Sequence, residues 1–134
     1  MANCDFTDAM ADDGTIKIDV ATRYLADQSA PQENRFVFAY TITISNEGDE
    51  DVRLLSRHWR ITDANNRVQE VRGEGVVGEQ PLISAGNNYR YTSGAMLETA
   101  VGTMEGSYAM ISASGASFNA PISVFSLVQP GALH

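Results

Sequence analysis

The chain of 134 residues contains one cysteine, Cys4, so no internal disulfide can form. A lone thiol among acidic residues lacks the electropositive surroundings that create a nucleophilic thiolate. With no oxidative framework and no export signal, the expected compartment is the reducing cytoplasm. No apolar run approaches the length of about 18 residues that a membrane helix needs. The first thirteen residues, "MANCDFTDAMADD", have neither a basic start nor an apolar centre and are not read as a signal peptide. Lysine is almost absent: Lys17 is the only one, and the other eight basic residues are arginines. The formal charge is -8, and four of the acids (Asp5, Asp8, Asp12, Asp13) lie in that N-terminal stretch. A net negative field disfavours non-specific binding to nucleic acid. Histidine occurs twice, as His58 and His134, with no H-x-x-x-H spacing, no cysteine set and no EF-hand loop, so no metal site and no cofactor are expected. There is no G-x-S-x-G elbow either. Ser56-x-His58 on one strand is not a catalytic arrangement, and no enzymatic activity is expected.

A helical period is missing too; nowhere do apolar residues recur at 3.6-residue spacing for three turns. Period-two alternation takes its place. In "FVFAYTITIS", Phe36, Phe38, Tyr40, Ile42 and Ile44 fall on one face and Val37, Ala39, Thr41, Thr43 and Ser45 on the other. Such a run of aromatic and β-branched residues is a long strand with one buried face. "NEGDED" follows as a polar turn. Further strands are expected at Ile16–Val20, Val52–Thr62, Val68–Arg72, Tyr89–Ser93, Gly106–Ser112 and Ala116–Leu127. Pro121 marks the last as an edge strand or a bulged one. The turn "DANN" ends the segment Val52–Thr62.

Seven or eight strands with a turn every 8 to 12 residues predict an all-β fold, an antiparallel sandwich of the immunoglobulin or fibronectin type III kind. Residues 1–14 are expected to form a flexible acidic tail and 15–134 the domain. Trp59 takes the place of a core tryptophan, with Leu55 and Ile61 expected on its face and Ser56, His58 and Arg60 on the other. Arg57 conflicts with that register unless a bulge intervenes. Tyr108, two residues before Met110, is placed like the corner tyrosine of immunoglobulin domains, with Met110 in the position of the second cysteine.

One stretch invites a functional reading. "VRGEGVVGEQP" contains Gly73, Gly75 and Gly78 in the spacing G-x-G-x-x-G. The dinucleotide fingerprint works between a strand and a helix whose N-terminus receives the pyrophosphate. Here Pro81 and Gly86 follow too soon for a helix. Two readings stay open: an anion-binding nest of backbone N–H groups beside Arg72, or a connection that needs glycine for its backbone conformation. A protein-docking reading concerns Arg57, His58 and Arg60, since arginine beside tryptophan suits an interface anchor.

The segments "FVFAYTITISNEG", "LLSRHWRITDANNRVQEVRGEGVVGEQP", "YTSGAML", "GTMEGSYAM", "FNAPISVFSL" and "PGALH" together resemble the ApaG family, over Ile16 to His134. Where that family reads Asn-Gly after "ITDA", this chain has Asn65-Asn66. The resemblance implies a fibronectin type III or immunoglobulin-like fold. It implies a link to cobalt and magnesium homeostasis and to the neighbourhood of a dinucleoside tetraphosphatase. It also implies a role as an interaction module, since related domains occur in F-box proteins and in a partner of DNA polymerase delta. Under it, Arg72 to Gln80 is a candidate phosphate, pyrophosphate or nucleotide site. No reaction attaches to the family. Nothing spans a membrane, so a metal link would run indirectly, through a partner or a sensed ligand.

Overall fold

The computed structural model describes residues 15–131. The whole acidic tail, residues 1–14 with Cys4, and the C-terminal His134 lie outside the described residues. Eight strands follow in order: β1 (Ile16–Tyr24), β2 (Phe36–Asn46), β3 (Val52–Asp63), β4 (Val68–Glu74), β5 (Leu82–Ile83), β6 (Asn88–Leu97), β7 (Val101–Ser112) and β8 (Ser117–Val128). Two single-turn 3-10 helices, Ala26–Gln28 and Pro31–Glu33, lie between β1 and β2. Among the described residues there is no α-helix.

The strands form two antiparallel sheets, β1-β2-β6 and β4-β3-β7-β8, with β5 continuing the β4 edge along β3. The sheets pack as the expected sandwich. In the constant-type immunoglobulin order the fourth strand joins the first sheet; here it stays beside β3 in the second. Strand β2 behaves as its alternation predicts: Phe36, Phe38, Tyr40, Ile42 and Ile44 are all buried. It is the central strand of its sheet, held by β1 on one side and β6 on the other.

Strand β3 departs from strict alternation. Its register against β7 shifts between Leu54 and Ser56, which leaves Leu55 as an extra residue in a bulge. The buried set therefore passes from Val52 and Leu54 to Trp59 and Ile61. Leu55 does not share Trp59's face as expected, because the bulge changes the parity ahead of it. Arg57 does share that face, and the conflict in the sequence is resolved by the bulge.

Trp59 is the core tryptophan, meeting Tyr40, Phe125 and Tyr108 edge-on with ring centroids 5.4, 5.9 and 6.3 Å apart. The corner-tyrosine expectation is corrected. Tyr108 is fully buried, and its hydroxyl pairs with the Tyr91 hydroxyl of the other sheet at 2.5 Å rather than with backbone. Met110 fills the core beside it. Pro121 lies in the edge strand β8, close to a register shift between Met104 and Gly106, so both expectations for it hold.

A buried amide ties the sheets at one end. Asn46, the last residue of β2, donates from Nδ2 to the Ile83 carbonyl (3.0 Å) and the Glu50 carbonyl (2.7 Å), and its Oδ1 accepts from the Gly48 N–H (3.1 Å). Burying an amide is tolerable only with its hydrogen bonds made; the bond to Ile83 ties β5 to β2, and the other two order the turn after β2. The β3–β4 turn is ordered by Asp63, whose Oδ1 accepts from the N–H groups of Asn65 (2.8 Å) and Arg67 (3.0 Å). Asn66 there has φ 64°, the left-handed conformation that asparagine tolerates.

Candidate functional site

Strands β4 and β5 pair with the same edge of β3: Glu74 lies opposite Ser56, and Leu82 opposite Arg53. Three steps of β3 are thus matched by eight steps of the other chain segment. The surplus, residues 75–81, leaves the edge as a loop. Within it Val76 and Glu79 exchange both backbone hydrogen bonds (2.8 and 2.9 Å), so Val77 and Gly78 form a two-residue turn. Their φ values, 42° and 84°, are both positive, as a type I′ turn requires. Val76 is fully buried and Val77 is 56% exposed. A β-branched residue at positive φ is strained.

The loop also completes the bulge. The Leu55 carbonyl accepts from the Gly75 N–H (2.8 Å) and from Gln80 Nε2 (2.9 Å). Leu54 N–H donates to the Pro81 carbonyl at 3.0 Å, and Arg53 Nη1 to the Gln80 carbonyl at 2.7 Å. Arg57 reaches across the edge from the inner face and donates to the carbonyls of Gly75 (2.9 Å) and Glu74 (3.2 Å). This guanidinium lies over Gly73, where an added Cβ would come within 2.8 Å of Nη2. At Gly75 a Cβ would come within 2.1 Å of the Glu79 carbonyl oxygen. Gly73 leaves room for a side chain, Gly75 for a backbone crossing, and Gly78 supplies a left-handed turn residue. On its Arg57 side the loop presents carbonyls, while the N–H groups of Gly75, Val76 and Glu79 are bonded within the fold.

The candidate residues separate between two faces. Arg57 belongs to the loop and the core edge. His58, Arg60 and Arg72 share the outer face of the five-stranded sheet with Glu70, a residue that no sequence motif marks. His58 Nε2 and Glu70 Oε1 are 3.0 Å apart, and Arg72 Nη2 lies 3.4 Å from the same oxygen. Nothing in the linear sequence connects positions 58 and 70; the β3–β4 register does, by setting Arg60 opposite Glu70 and His58 opposite Arg72. A depression here is lined by Ser56, Arg57, His58, Arg72, Gly73, Ser107 and Asn119. Glu74 also lines it. Gly78 is not part of it. Among the described residues no hydroxyl is hydrogen-bonded to His58, and no three His, Cys, Asp or Glu side chains converge on a common point.

The Glu70 carboxyl is held below the usual carboxylate range, first by the hydrogen bond from His58, which desolvation opposes, and then by the charges of His58, Arg72 and Arg60. His58→Ala is expected to move the Glu70 pKa back up, as read by NMR titration of its side-chain carbon. An unchanged midpoint would show that the two side chains do not interact in solution.

The loop is tied to the other sheet as well. Tyr89 Oη donates to Glu79 Oε1 at 3.1 Å, which spans from β6 to the loop. At the far end of β4 an ion pair joins Arg67 to Glu98, 3.0 Å apart. Val68 and Met96 line one groove there, although they belong to different sheets. The side made by β4, the loop, β5 and β6 therefore carries Val68, Val77, Leu82 and Met96. These are four of the five large apolar side chains exposed among the described residues; the fifth, Val124, is on β8.

A family model described as the ApaG domain matches residues 26–112. The chain belongs to the ApaG family. It is 59% identical over 119 residues to Protein ApaG of Pseudomonas paraeruginosa, a match spanning 89% of this chain and 94% of that one. The crystal structure of the putative ApaA protein from Bordetella pertussis is similar with a TM-score of 0.84 at 46% identity, covering 87% of this chain and 94% of that one. An X-ray structure of a structural-genomics target gives a TM-score of 0.86 at 49% identity, over 91% and 92% of the two chains. In this member of the ApaG family, "VRGEGVVGEQP" is the end of an edge strand followed by a plugged loop. Among the described residues no helix is long and apolar enough to cross a membrane.

Proposed function

We propose that this ApaG-family chain is a non-catalytic, cytoplasmic protein-binding module, connected to cobalt and magnesium homeostasis only through a protein partner. The observation that carries the reading is the exposure of Val68, Val77, Leu82 and Met96 along the side that holds the unpaired edge of β4, with Val68 and Met96 sharing one groove. Single exposed apolar residues are ordinary, but a group of them on one side marks a docking surface. An open strand edge adds backbone donors and acceptors to it. The strained Val77 holds an apolar side chain out at the loop tip, and strain of this kind collects where a surface is used.

The competing reading is a phosphate, pyrophosphate or nucleotide site at residues 72–80. Arg72 favours it, being 71% exposed beside the depression that His58 lines. Glu70, Glu74 and Glu79 oppose it, as do the carbonyls turned towards Arg57. The two readings separate in one experiment. The chain and its Val68→Asp/Met96→Asp variant are used as bait in native lysate, while pyrophosphate and dinucleoside tetraphosphate are tested for a thermal shift. The expected result is a stoichiometric protein partner, lost with the variant, and no shift. A pyrophosphate-dependent shift that Arg72→Ala abolishes, with no partner recovered, would replace docking by anion binding.

A further inference from the structure

Backbone bonds fix which residues of β4 face outward. The Gly75 N–H bonds the Leu55 carbonyl, and the Asp63 N–H bonds the Arg67 carbonyl. Antiparallel ladders alternate between hydrogen-bonded and non-hydrogen-bonded pairs. Arg67, Gln69, Val71, Gly73 and Gly75 therefore turn their N–H and C=O groups towards β3. Val68, Glu70, Arg72 and Glu74 turn theirs outward, where no strand pairs with them.

Proteins guard such edges with proline, bulges, lysine or a single sign of charge. The opposite edge of the same sheet, β8, carries Pro121 and a register shift. Strand β4 carries neither proline nor lysine, and its register against β3 is unbroken from Val68 to Glu74. Its two charges nearest the middle, Glu70 and Arg72, are opposite in sign and stand two residues apart on the outer face.

We propose that β4 pairs antiparallel with β4 of a second copy of this chain, across a two-fold axis at Val71, joining the two five-stranded sheets into one. This pairing names the occupant of the docking side described above and rests on the reading of that side as protein-binding. With the axis at Val71, Glu70 faces the partner's Arg72 and Arg72 faces the partner's Glu70. Val68 and Glu74 face each other in the same way. All four pairs are of the outward-facing kind, so each exchanges two N–H···O=C bonds. The contact is isologous and closes with two copies.

Charge selects this register over its neighbours. An axis at Glu70 sets Glu70 against Glu70. An axis at Arg72 sets Arg72 against Arg72 and Glu70 against Glu74. Like charges directly opposite are destabilising. An axis at Gly73 matches Arg72 with Glu74 but keeps only half of the pairs. Odd shifts set outward-facing residues against inward-facing ones and make no ladder. The axis at Val71 also brings the loop of one copy towards the Val68 end of the other, so the apolar residues at the two ends of the edge approach across the interface.

The test is the oligomeric state of the full chain by analytical ultracentrifugation from about 1 to 200 μM, with folding followed by circular dichroism. Wild type is expected to dimerise within that range. Glu70→Arg sets arginine against arginine and Arg72→Glu sets glutamate against glutamate, and each is expected to weaken the dimer about tenfold or more. The double exchange Glu70→Arg/Arg72→Glu restores complementarity and is expected to recover it. The two single variants, mixed in equal amounts, are expected to form a heterodimer that neither forms alone. Both positions are exposed, so the variants keep the fold. A monomeric wild type at 200 μM would overturn the proposal, as would a dimer indifferent to the charge reversals. Neither result touches the docking reading, which fails separately if the Val68→Asp/Met96→Asp variant binds every captured partner as wild type does.

Discussion

Gly75→Ala is expected to destabilise the chain by about 3 kcal/mol or more, enough to lower Tm by about 10 °C at this size. Two causes add. The backbone is left-handed there (φ 65°), which costs a residue with a Cβ about 1–2 kcal/mol. The new methyl would also lie 2.1 Å from the Glu79 carbonyl oxygen, a backbone atom held by the bond it receives from the Val76 N–H. Relieving the overlap moves Val76 out of the core or breaks the bond from Gly75 to the bulged Leu55 carbonyl. Gly78→Ala is the control. It has a positive φ too (84°), but nothing lies within 4 Å of an added Cβ, so only the conformational cost of about 1 kcal/mol remains. Thermal melts of the two variants give the comparison. Equal, small losses would mean that the loop crossing is loose and that Gly75 is kept for something other than packing.

Raising the pH from 10 to 12 is expected to remove about 3 kcal/mol of stability through the tyrosine pair that joins the sheets. Burial pushes the Tyr91 hydroxyl up to about 12, with smaller effects from Tyr108, Tyr40, Arg57 and Tyr89. Tyr108 is pushed up further, again mainly by burial and then by Tyr91. The ordinary value of 10.0 applies to the unfolded chain. Between 10 and 12 the folded state holds a proton that the unfolded state releases, so stability falls as pH rises. Below pH 10 the contribution is fully present. The pair titrates as a unit, so the slope belongs to both residues. Urea unfolding at pH 8 and pH 11 measures it. The double variant Tyr91→Phe/Tyr108→Phe removes both hydroxyls and is expected to lose the alkaline slope while staying near wild-type stability at pH 8. Tyr91→Phe alone strands the buried Tyr108 hydroxyl and costs about 1–2 kcal/mol at every pH below 10. A double variant that retains the wild-type slope would place the alkaline transition elsewhere in the molecule.

These two sites differ in how much of them can be read from residue order. The loop announces itself by Gly73, Gly75 and Gly78, and the lack of a following helix already removes the dinucleotide reading. What each glycine accommodates is invisible in one dimension. Gly73 makes room for Arg57, sixteen positions earlier, and the two meet because β3 and β4 pair in that register. The tyrosine pair leaves no trace in the sequence: Tyr91 and Tyr108 lie on strands of different sheets. The local resemblance of Tyr108 to a corner tyrosine points its hydroxyl to the wrong partner. The same holds for the outer face, where His58, Arg60 and Arg72 were singled out and Glu70, which binds two of them, was not.

The sequence by itself determined the strands, their alternation and the sandwich they build, because period-two burial is a local property. Phe36 to Ile44 need only one apolar neighbour layer to be read as they fold. It also determined that "VRGEGVVGEQP" has no helix to present to a phosphate. The tertiary structure decided the rest. One unpaired residue, Leu55, reverses the face of everything before it in β3. That reversal lets Arg57 sit inward beside Trp59 and clamp the loop. The alternation of backbone bonds in the β3–β4 ladder turns Glu70 and Arg72 towards an open edge. Each of these follows from how two strands are set against each other, and strand register is a relation between distant residues that no short stretch contains.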